Sequence, residues 1–293
     1  MFGIFDSINE WLKELFMNGI LENFGDMFAE VDSKIGEIAT QVGQTPQGWN
    51  AGIFDMIRIL SDTVVIPIAG IILTFVLCYE LIQLIIERNN MHDFETFVFF
   101  KWIFKTFCAV YILTHTFDIV MGIFALAQNA VNQSAVTIAD RFGFWTPDPM
   151  QNPMNILYAA LQDMEWYEML GLYIESGIIS LAMNALSICI FIIIYGRMIE
   201  IYLTISVAPI PLSTMANREW SGIGNSYLKS LFALAFQGFL IMVCVAIYAI
   251  LVKNIPNSTN IHSAIWGCLG YTVLLCFTLF KTGSLAKGLF SAH

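Results

Sequence analysis

The sequence predicts an all-α, polytopic integral membrane protein with about five transmembrane helices, and composition and apolar run length are the observations behind this. Of 293 residues, 57% are hydrophobic and 12% are charged, whereas soluble domains carry about 25% charged residues. So few charges cannot cover a core of this size, and much of the surface must therefore face lipid or other subunits. Five apolar runs are long enough to cross a bilayer core of ~30 Å at about 1.5 Å per residue.

The first predicted domain, residues 1–50, is an extracytoplasmic region of amphipathic helices followed by a loop. Apolar residues recur there at helical spacing, and the other face carries acids: Asp6, Glu10 and Glu14. A helix built for anionic lipid would carry Lys and Arg instead. The acidic face therefore favours docking on protein, and Asn18-Gly19 predicts a break before a second short helix.

Three further domains follow in order along the chain. Residues 51–126 hold transmembrane helices 1 and 2, and a charged lead-in helix with Asp55, Arg58 and Asp62 precedes the first span. Residues 127–169, rich in Pro, Asn and Asp, form an extracytoplasmic insert. Residues 170–293 hold transmembrane helices 3 to 5. The predicted spans cover about 64–86, 102–126, 170–195, 231–252 and 264–280.

A sixth apolar stretch near residues 199–216 is interrupted by Ala208, Pro209, Ile210 and Pro211. Two prolines two residues apart remove two backbone donors and disfavour helix just before each one. Non-helical backbone at membrane depth is tolerated only where protein or a water-filled cavity covers it. The segment is therefore predicted to be a broken, re-entrant element that faces other helices, other subunits or a pore.

The distribution of basic residues selects between a spanning and a re-entrant sixth stretch. Cytoplasmic flanks are enriched in Lys and Arg, and the acidic insert at 127–169 belongs outside. Re-entry then places eight of the thirteen basic residues inside, with the N-terminus extracytoplasmic and the C-terminus cytoplasmic. A cytoplasmic basic face is predicted from five of them: Lys101, Lys105, Arg197, Arg218 and Lys229.

Polar groups at membrane depth are costly and are candidates for function. They fall into ionisable groups and one stripe of span three. The ionisable candidates either line a conduit or pair near the interface, and the stripe is either a helix–helix contact or a pore-lining face. The candidates are Glu80, His115, Asp118 and Glu175, with Ser176, Ser180, Asn184 and Ser187 forming the stripe.

No catalytic, cofactor or metal signature occurs in the sequence. It contains no G-x-x-x-x-G-K-[ST] phosphate loop, no H-E-x-x-H and no G-x-S-x-G motif. The four histidines are dispersed, and the six cysteines lie in apolar runs without a CxxC pair, which is typical of small hydrophobic filler. The net charge of −10 argues against a broad nucleic-acid-binding patch. The chain is therefore predicted not to be an enzyme and to need no cofactor.

Two stretches carry a resemblance to a known family. They are IGEIATQVGQTPQGWN near the start and RMIEIYLTISVAPIPLSTMANREWSGIGNSYLKSLFALAFQGFLI over residues 197–241. Both resemble TrbL-type polytopic membrane subunits of conjugative type IV secretion systems, in the form carried by integrative conjugative elements of Gram-positive bacteria. The similarity extends over nearly the whole chain.

The resemblance implies a channel or scaffold subunit that forms a homo-oligomeric ring and helps relaxase-bound single-stranded DNA leave the cell. It also implies contacts with membrane lipid, other secretion subunits and separate ATPases, and transiently with the transiting DNA and relaxase. The alternative hypothesis is a small-solute or ion transporter that uses the broken helix at Ala208–Pro211, since broken helices expose backbone groups that can bind ions.

Overall fold

The computed structural model describes residues 2–87, 96–142, 151–162, 164–253 and 261–292. These residues form helices and turns, and no strand occurs among them. The helices are α1 Phe2–Val42, α2 Pro46–Trp49, α3 Ala51–Leu60, α4 Ile66–Glu87, α5 Thr96–Thr114, α6 Thr116–Phe142, α7 Gln151–Gln162, α8 Trp166–Ser206, α9 Pro209–Ser213, α10 Ser221–Lys253 and α11 Ile261–Leu289. A π-helical turn, Ser61–Val65, joins α3 to α4, and a 3-10 turn, Thr214–Ala216, follows α9.

Five stretches of the described residues are long and apolar enough to cross a membrane, which confirms the predicted all-α polytopic class. They are Ala51–Ile86, Thr116–Ile138, Trp166–Ala216, Ser221–Val252 and Trp266–Leu289. The charged lead-in helix is also confirmed, because Asp55, Arg58 and Asp62 lie in α3 and the turn after it.

The second predicted span, 102–126, is not one uninterrupted helix, because a turn at His115 separates α5 from α6. The hydroxyls of Thr114 and Thr116 donate to carbonyls one turn back, on Val110 and Ile112. Such side-chain bonds compete with the helical ladder and bend it. The helical direction nevertheless persists, since the His115 N–H still donates to the Tyr111 carbonyl at 3.0 Å.

The predicted break at Asn18-Gly19 is wrong, because α1 continues through both residues to Val42. The glycine serves packing rather than chain reversal. A Cβ on Gly19 would lie 2.5 Å from Cε2 of Tyr173 on α8, so only glycine lets the two helices approach this closely. The predicted 40–50 loop shrinks in turn, since α1 takes its first residues and α2 covers Pro46–Trp49.

The chain divides into two compact units. The first comprises Met1–Val42, Asn132–Ile194 and Ile241–Lys281, and the second comprises Gly43–Val131, Tyr195–Leu240 and Thr282–His293. In the first unit α1 packs on α8 and α7, and Lys13 donates to the Gln162 carbonyl at 2.8 Å. The Tyr248 and Thr272 hydroxyls form a buried hydrogen bond of 2.8 Å between α10 and α11 of that unit.

The core of the second unit is an apolar cluster contributed by α3, α6, α8 and α10. Phe54 meets Phe117 edge to face, with ring centroids 5.9 Å apart. Tyr202 is buried in this cluster, and its hydroxyl donates to the Pro46 carbonyl at 2.6 Å. The short helix α2 is thereby fastened to α8. Other members of the cluster are Ile57, Val120, Phe124, Ala127, Met198, Ile201, Ile205, Leu231 and Leu234.

Candidate functional site

The helix break of the predicted re-entrant element begins later than the sequence indicated. Residues 199–206 are the last turns of α8, so the predicted segment 199–216 is wrong over its first half. The break itself starts at Val207, immediately before Ala208 and Pro209. Isoleucine and threonine side chains upstream fit a helix, whereas Pro209 and Pro211 cannot donate to its ladder.

The predicted residues Ala208, Pro209, Ile210 and Pro211 lie together at this break. Pro209 occupies the first position of α9, where a missing N–H is tolerated. The remaining donors are satisfied by short turns, since the Ile210 N–H donates to the Val207 carbonyl at 3.1 Å and the Leu212 N–H to the Ala208 carbonyl at 3.3 Å. The irregular backbone is therefore hydrogen-bonded within itself.

The chain runs antiparallel on the two sides of the break. Arg197 on α8 donates to the Leu234 carbonyl on α10 at 3.4 Å, and the Tyr227 hydroxyl donates to the Thr204 carbonyl at 3.1 Å. The connection between α8 and α10, residues 207–220, contains only a five-residue helix. A membrane crossing needs about 20 helical residues, so this connection does not form a span of its own.

Helices α4 and α5 cover this connection. Ile210 and Ala216 pack against an apolar cluster on those helices that includes Leu73 and Leu113. Ala208 and Pro209 are buried. The chain's own helices thus bury the centre of the irregular segment, while Val207 at its start is 46% exposed.

A polar network fastens the connection to α4 and α5 beyond this apolar contact. The Glu80 carboxylate accepts from Lys105 Nζ at 2.5 Å and from Asn217 Nδ2 at 2.5 Å. Only 12% of the Glu80 side chain is exposed. A carboxylate at this burial is stabilised by such charge-assisted partners, so Glu80 on α4 bridges α5 and the α8–α10 connection.

Asn217 has a second role in the turn that precedes α10. Its Oδ1 accepts from the Glu219 N–H at 2.8 Å and from the Trp220 N–H at 3.4 Å. Gln83 then donates to Glu219 Oε1 at 2.7 Å, and the Tyr79 hydroxyl donates to Glu219 Oε2 at 3.2 Å. The buried Asn217 amide therefore links α4 to the turn that precedes α10.

The five residues of the predicted basic face do not form one face. Arg197 is 6% exposed, and its Nε finds no acceptor among the described residues. Lys105 forms an ion pair with Glu80, and Lys101 Nζ lies 4.7 Å from the centre of the Phe97 ring. Arg218 and Lys229 are exposed. The prediction fails at Arg197 because the α8–α10 contact, which only the tertiary structure defines, buries that position.

The polar stripe of span three is a helix–helix contact with α1. Asn23 Nδ2 donates to Ser176 Oγ at 3.0 Å, and Ser187 Oγ donates to Glu30 Oε1 at 2.5 Å. Ser180 and Asn184 line a cavity of about 360 Å³ between the same two helices. The helix–helix interpretation is therefore the one that the structure favours for this stripe.

The other ionisable candidates occupy three different settings. Glu175 contacts His262 Nδ1 at 2.5 Å and also accepts from the Trp266 indole N–H, both on α11. His115 forms the α5–α6 turn and stacks on Tyr111 with centroids 4.1 Å apart. Asp118 is exposed in the first turn of α6.

Sequence reasoning missed three residues of this network. Asn217 and Glu219 lie outside the apolar runs, and Gln83 lies within the first one. The signal that could have found Asn217 is its residue type at the start of a polar turn, because an Asn side chain can accept from the backbone two residues later. Among the described residues no group of three or more His, Cys, Asp or Glu side chains could hold a metal ion.

Residues 31–209 match a protein family described as "TrbL/VirB6 plasmid conjugal transfer like protein". The match includes IGEIATQVGQTPQGWN and reaches the break, ending at Pro209, so α10 lies beyond it. No curated protein and no solved structure matches the chain. Because the matched residues cover more than half of 293, the chain belongs to the TrbL/VirB6 plasmid conjugal transfer family.

Proposed function

We propose that the chain is a channel or scaffold subunit of a conjugative type IV secretion system, of the kind carried by integrative conjugative elements. It would form a homo-oligomeric ring that helps relaxase-bound single-stranded DNA cross the cell membrane. The observation that carries the proposal is the family match over residues 31–209 of a chain with five candidate spans. Separate ATPases supply the energy, in keeping with the missing phosphate-loop motif.

The proposed orientation has the N-terminus extracytoplasmic and the C-terminus cytoplasmic. The excess of Lys and Arg on one side of the predicted topology supports it. The antiparallel α8–α10 pair adds support, because Arg218 then lies on the same side as the C-terminal end of α8. ATPases and the incoming substrate would meet the connection at residues 207–220, and wall-side subunits would meet α1.

Deletion of the gene in a donor strain tests the role. DNA transfer should be lost and should return when the chain is supplied in trans, while donor growth and the level of the relaxase remain unchanged. Formaldehyde crosslinking followed by recovery of the chain should retrieve the transferred strand from mating cells. Normal transfer in the deletion strain would overturn the proposal.

Cysteine labelling tests the orientation. In a chain without native cysteines, a membrane-impermeant thiol reagent should label Glu10→Cys on intact cells. Arg218→Cys and Lys287→Cys should react only after permeabilisation. Labelling of both positions on intact cells would refute the orientation while leaving the secretion role open.

The transporter hypothesis makes a different prediction. Purified chain in liposomes should then show saturable solute flux, and Pro209→Ala with Pro211→Ala should abolish it. Ala208 and Pro209 are buried, which argues against a solute site at these two residues and favours the secretion role.

A further inference from the structure

Helix α6 has a face of polar and small residues that is exposed. Its members recur at spacings of three and four and so form one stripe: Asp118, Gly122, Ala125 and Asn129. The opposite face, with Val120 and Phe124, is buried in the core of the second unit. A Cβ added at Gly122 would meet no atom within 4 Å, so the space beside the stripe is open.

The height of this stripe relative to α8 can be read from shared core contacts. Val120 and Phe124 belong to the same buried cluster as Ile201 and Ile205. At that height α8 exposes large aliphatic side chains, which are Ile199 at 54%, Leu203 at 62% and Val207 at 46%. One unit therefore has an apolar side, suited to lipid, and a polar side on α6.

Helix α3, beside this stripe, has an exposed side of mixed polarity. It lies next to α6 through the contact between Phe54 and Phe117. Its exposed residues include Asp55 and Arg58 but also three large apolar side chains, Met56 at 51%, Ile59 at 61% and Leu60 at 48%. Arg58 Nε lies 3.9 Å from the carboxylate of Asp62 in the following turn. Together with Asp118 the sector holds three acids and one base, so its net charge is negative.

Lipid is a poor neighbour for Asp118 and Asn129 on α6, because hydrocarbon offers no partner to a carboxylate or an amide. A dry contact with a second copy is also disfavoured. Copies in one membrane share one orientation, so α6 helices around a symmetry axis are parallel and place their Asp118 carboxylates at equal depth. Like charges in a medium of low dielectric oppose each other's ionisation. Water between the copies would solvate the Asp118 carboxylates and weaken this repulsion.

We propose that the exposed face of α6 lines a water-filled passage enclosed by copies of this chain. This inference rests on the homo-oligomeric ring of the proposed function. From Asp118 to Asn129 the exposed α6 wall carries one carboxylate per copy near one end, small and amide side chains, and one large apolar side chain, Leu126, which is 67% exposed. Such a wall wets the passage without binding a phosphate backbone, and a conduit must release what it moves.

Thiol reactivity of the full-length chain in donor cells tests the passage. Single cysteines are placed at Gly122 and Asn129 on α6, and at Ile199 and Leu203 on α8 as lipid-facing controls of the same height. All six native cysteines are replaced. Thiols react as thiolates, which form in water and not in hydrocarbon. A charged methanethiosulfonate should therefore modify Gly122→Cys and Asn129→Cys on the order of tenfold faster than Ile199→Cys and Leu203→Cys.

Two results would overturn the passage. Equal, slow modification at all four positions would mean that α6 faces lipid. Slow modification at Gly122→Cys with efficient oxidative crosslinking between copies would mean a dry interface. Unmodified accumulation of each variant in the membrane fraction controls for folding.

The two proposals fail separately. If the deletion strain still transfers DNA, the secretion role is wrong, whereas fast labelling of α6 would still report an aqueous face. If transfer needs the chain but α6 stays unlabelled, only the passage is wrong.

Discussion

Gly224, near the start of α10, offers a sharp test of how the broken segment is held. The glycine is buried, and a Cβ there would lie 2.8 Å from the Pro211 carbonyl oxygen and would also meet the Met215 side chain. Met215 can change rotamer, but a backbone oxygen cannot move without shifting α9. Gly224→Ala should therefore push α10 away from the break.

Two effects of opposite sign set the magnitude. Replacing glycine by alanine in a helix stabilises it by about 0.5–1 kcal/mol, whereas overpacking a tight contact costs about 1–3 kcal/mol. Gly222, two residues earlier in α10, is exposed and has no atom within 4 Å of an added Cβ. Gly222→Ala thus receives the helix gain alone, and the two variants should differ in free energy of unfolding by about 1–3 kcal/mol.

Thermal unfolding of the detergent-solubilised chain, followed by size-exclusion chromatography of heated samples, measures this difference. Gly224→Ala should melt below Gly222→Ala, and it should also reduce DNA transfer if the break must be seated for function. Equal melting temperatures for the two variants would refute the claim that α9 and α10 are in close contact at this point.

Three further changes test other contacts. Asn217→Ala removes the side chain that holds the turn before α10 and that donates to the buried Glu80 carboxylate, so it should cost about 1–3 kcal/mol of stability in the same melting assay. Asn217→Asp keeps an oxygen that can accept in the turn but sets a second carboxylate beside Glu80, and rescue by it would contradict this account. Arg197→Met replaces a buried guanidinium that has only weak partners, so the melting temperature should stay equal or rise. A loss of stability of more than about 2 kcal/mol would mean that the fold depends on the charge of Arg197. Ser187→Ala removes the hydroxyl that donates to Glu30, so protease cleavage within α1 should become faster because α1 is held less firmly on α8; unchanged cleavage would show that this bond contributes little.

The correct expectations share a physical origin. Helix in apolar runs follows from composition, because a chain in lipid must satisfy every backbone group within its own helices. The break at Pro209 and Pro211 is equally local, since proline lacks the donor wherever it occurs. The lead-in helix with Arg58 and Asp62 depends on spacing alone. Such properties need no knowledge of which helices become neighbours.

The wrong expectations needed that knowledge. Glycine is a residue type that often ends helices, but Gly19 lies inside α1, where the absence of a side chain lets the ring of Tyr173, 154 positions later, pack against the helix. Arginine is typical of cytoplasmic flanks, but Arg197 is buried against α10, where it donates to the Leu234 carbonyl. The polar stripe of span three was open to two interpretations in the sequence, and the contact with α1 favours the helix–helix one.

The sequence by itself determined that this chain is a helical membrane protein with one proline-broken segment, because hydropathy and proline act through local chemistry. Only the tertiary structure decided what holds that segment and which polar face stays open. Glu80, Lys105 and Asn217 are distant in sequence and become partners through α4, α5 and the α8–α10 connection. Asp118 and Ser176 were equal candidates in sequence, but α1 covers the stripe with Ser176, while the α6 face with Asp118 is exposed. Burial depends on which helices pack together, and helical periodicity names the faces of a helix without naming its neighbours.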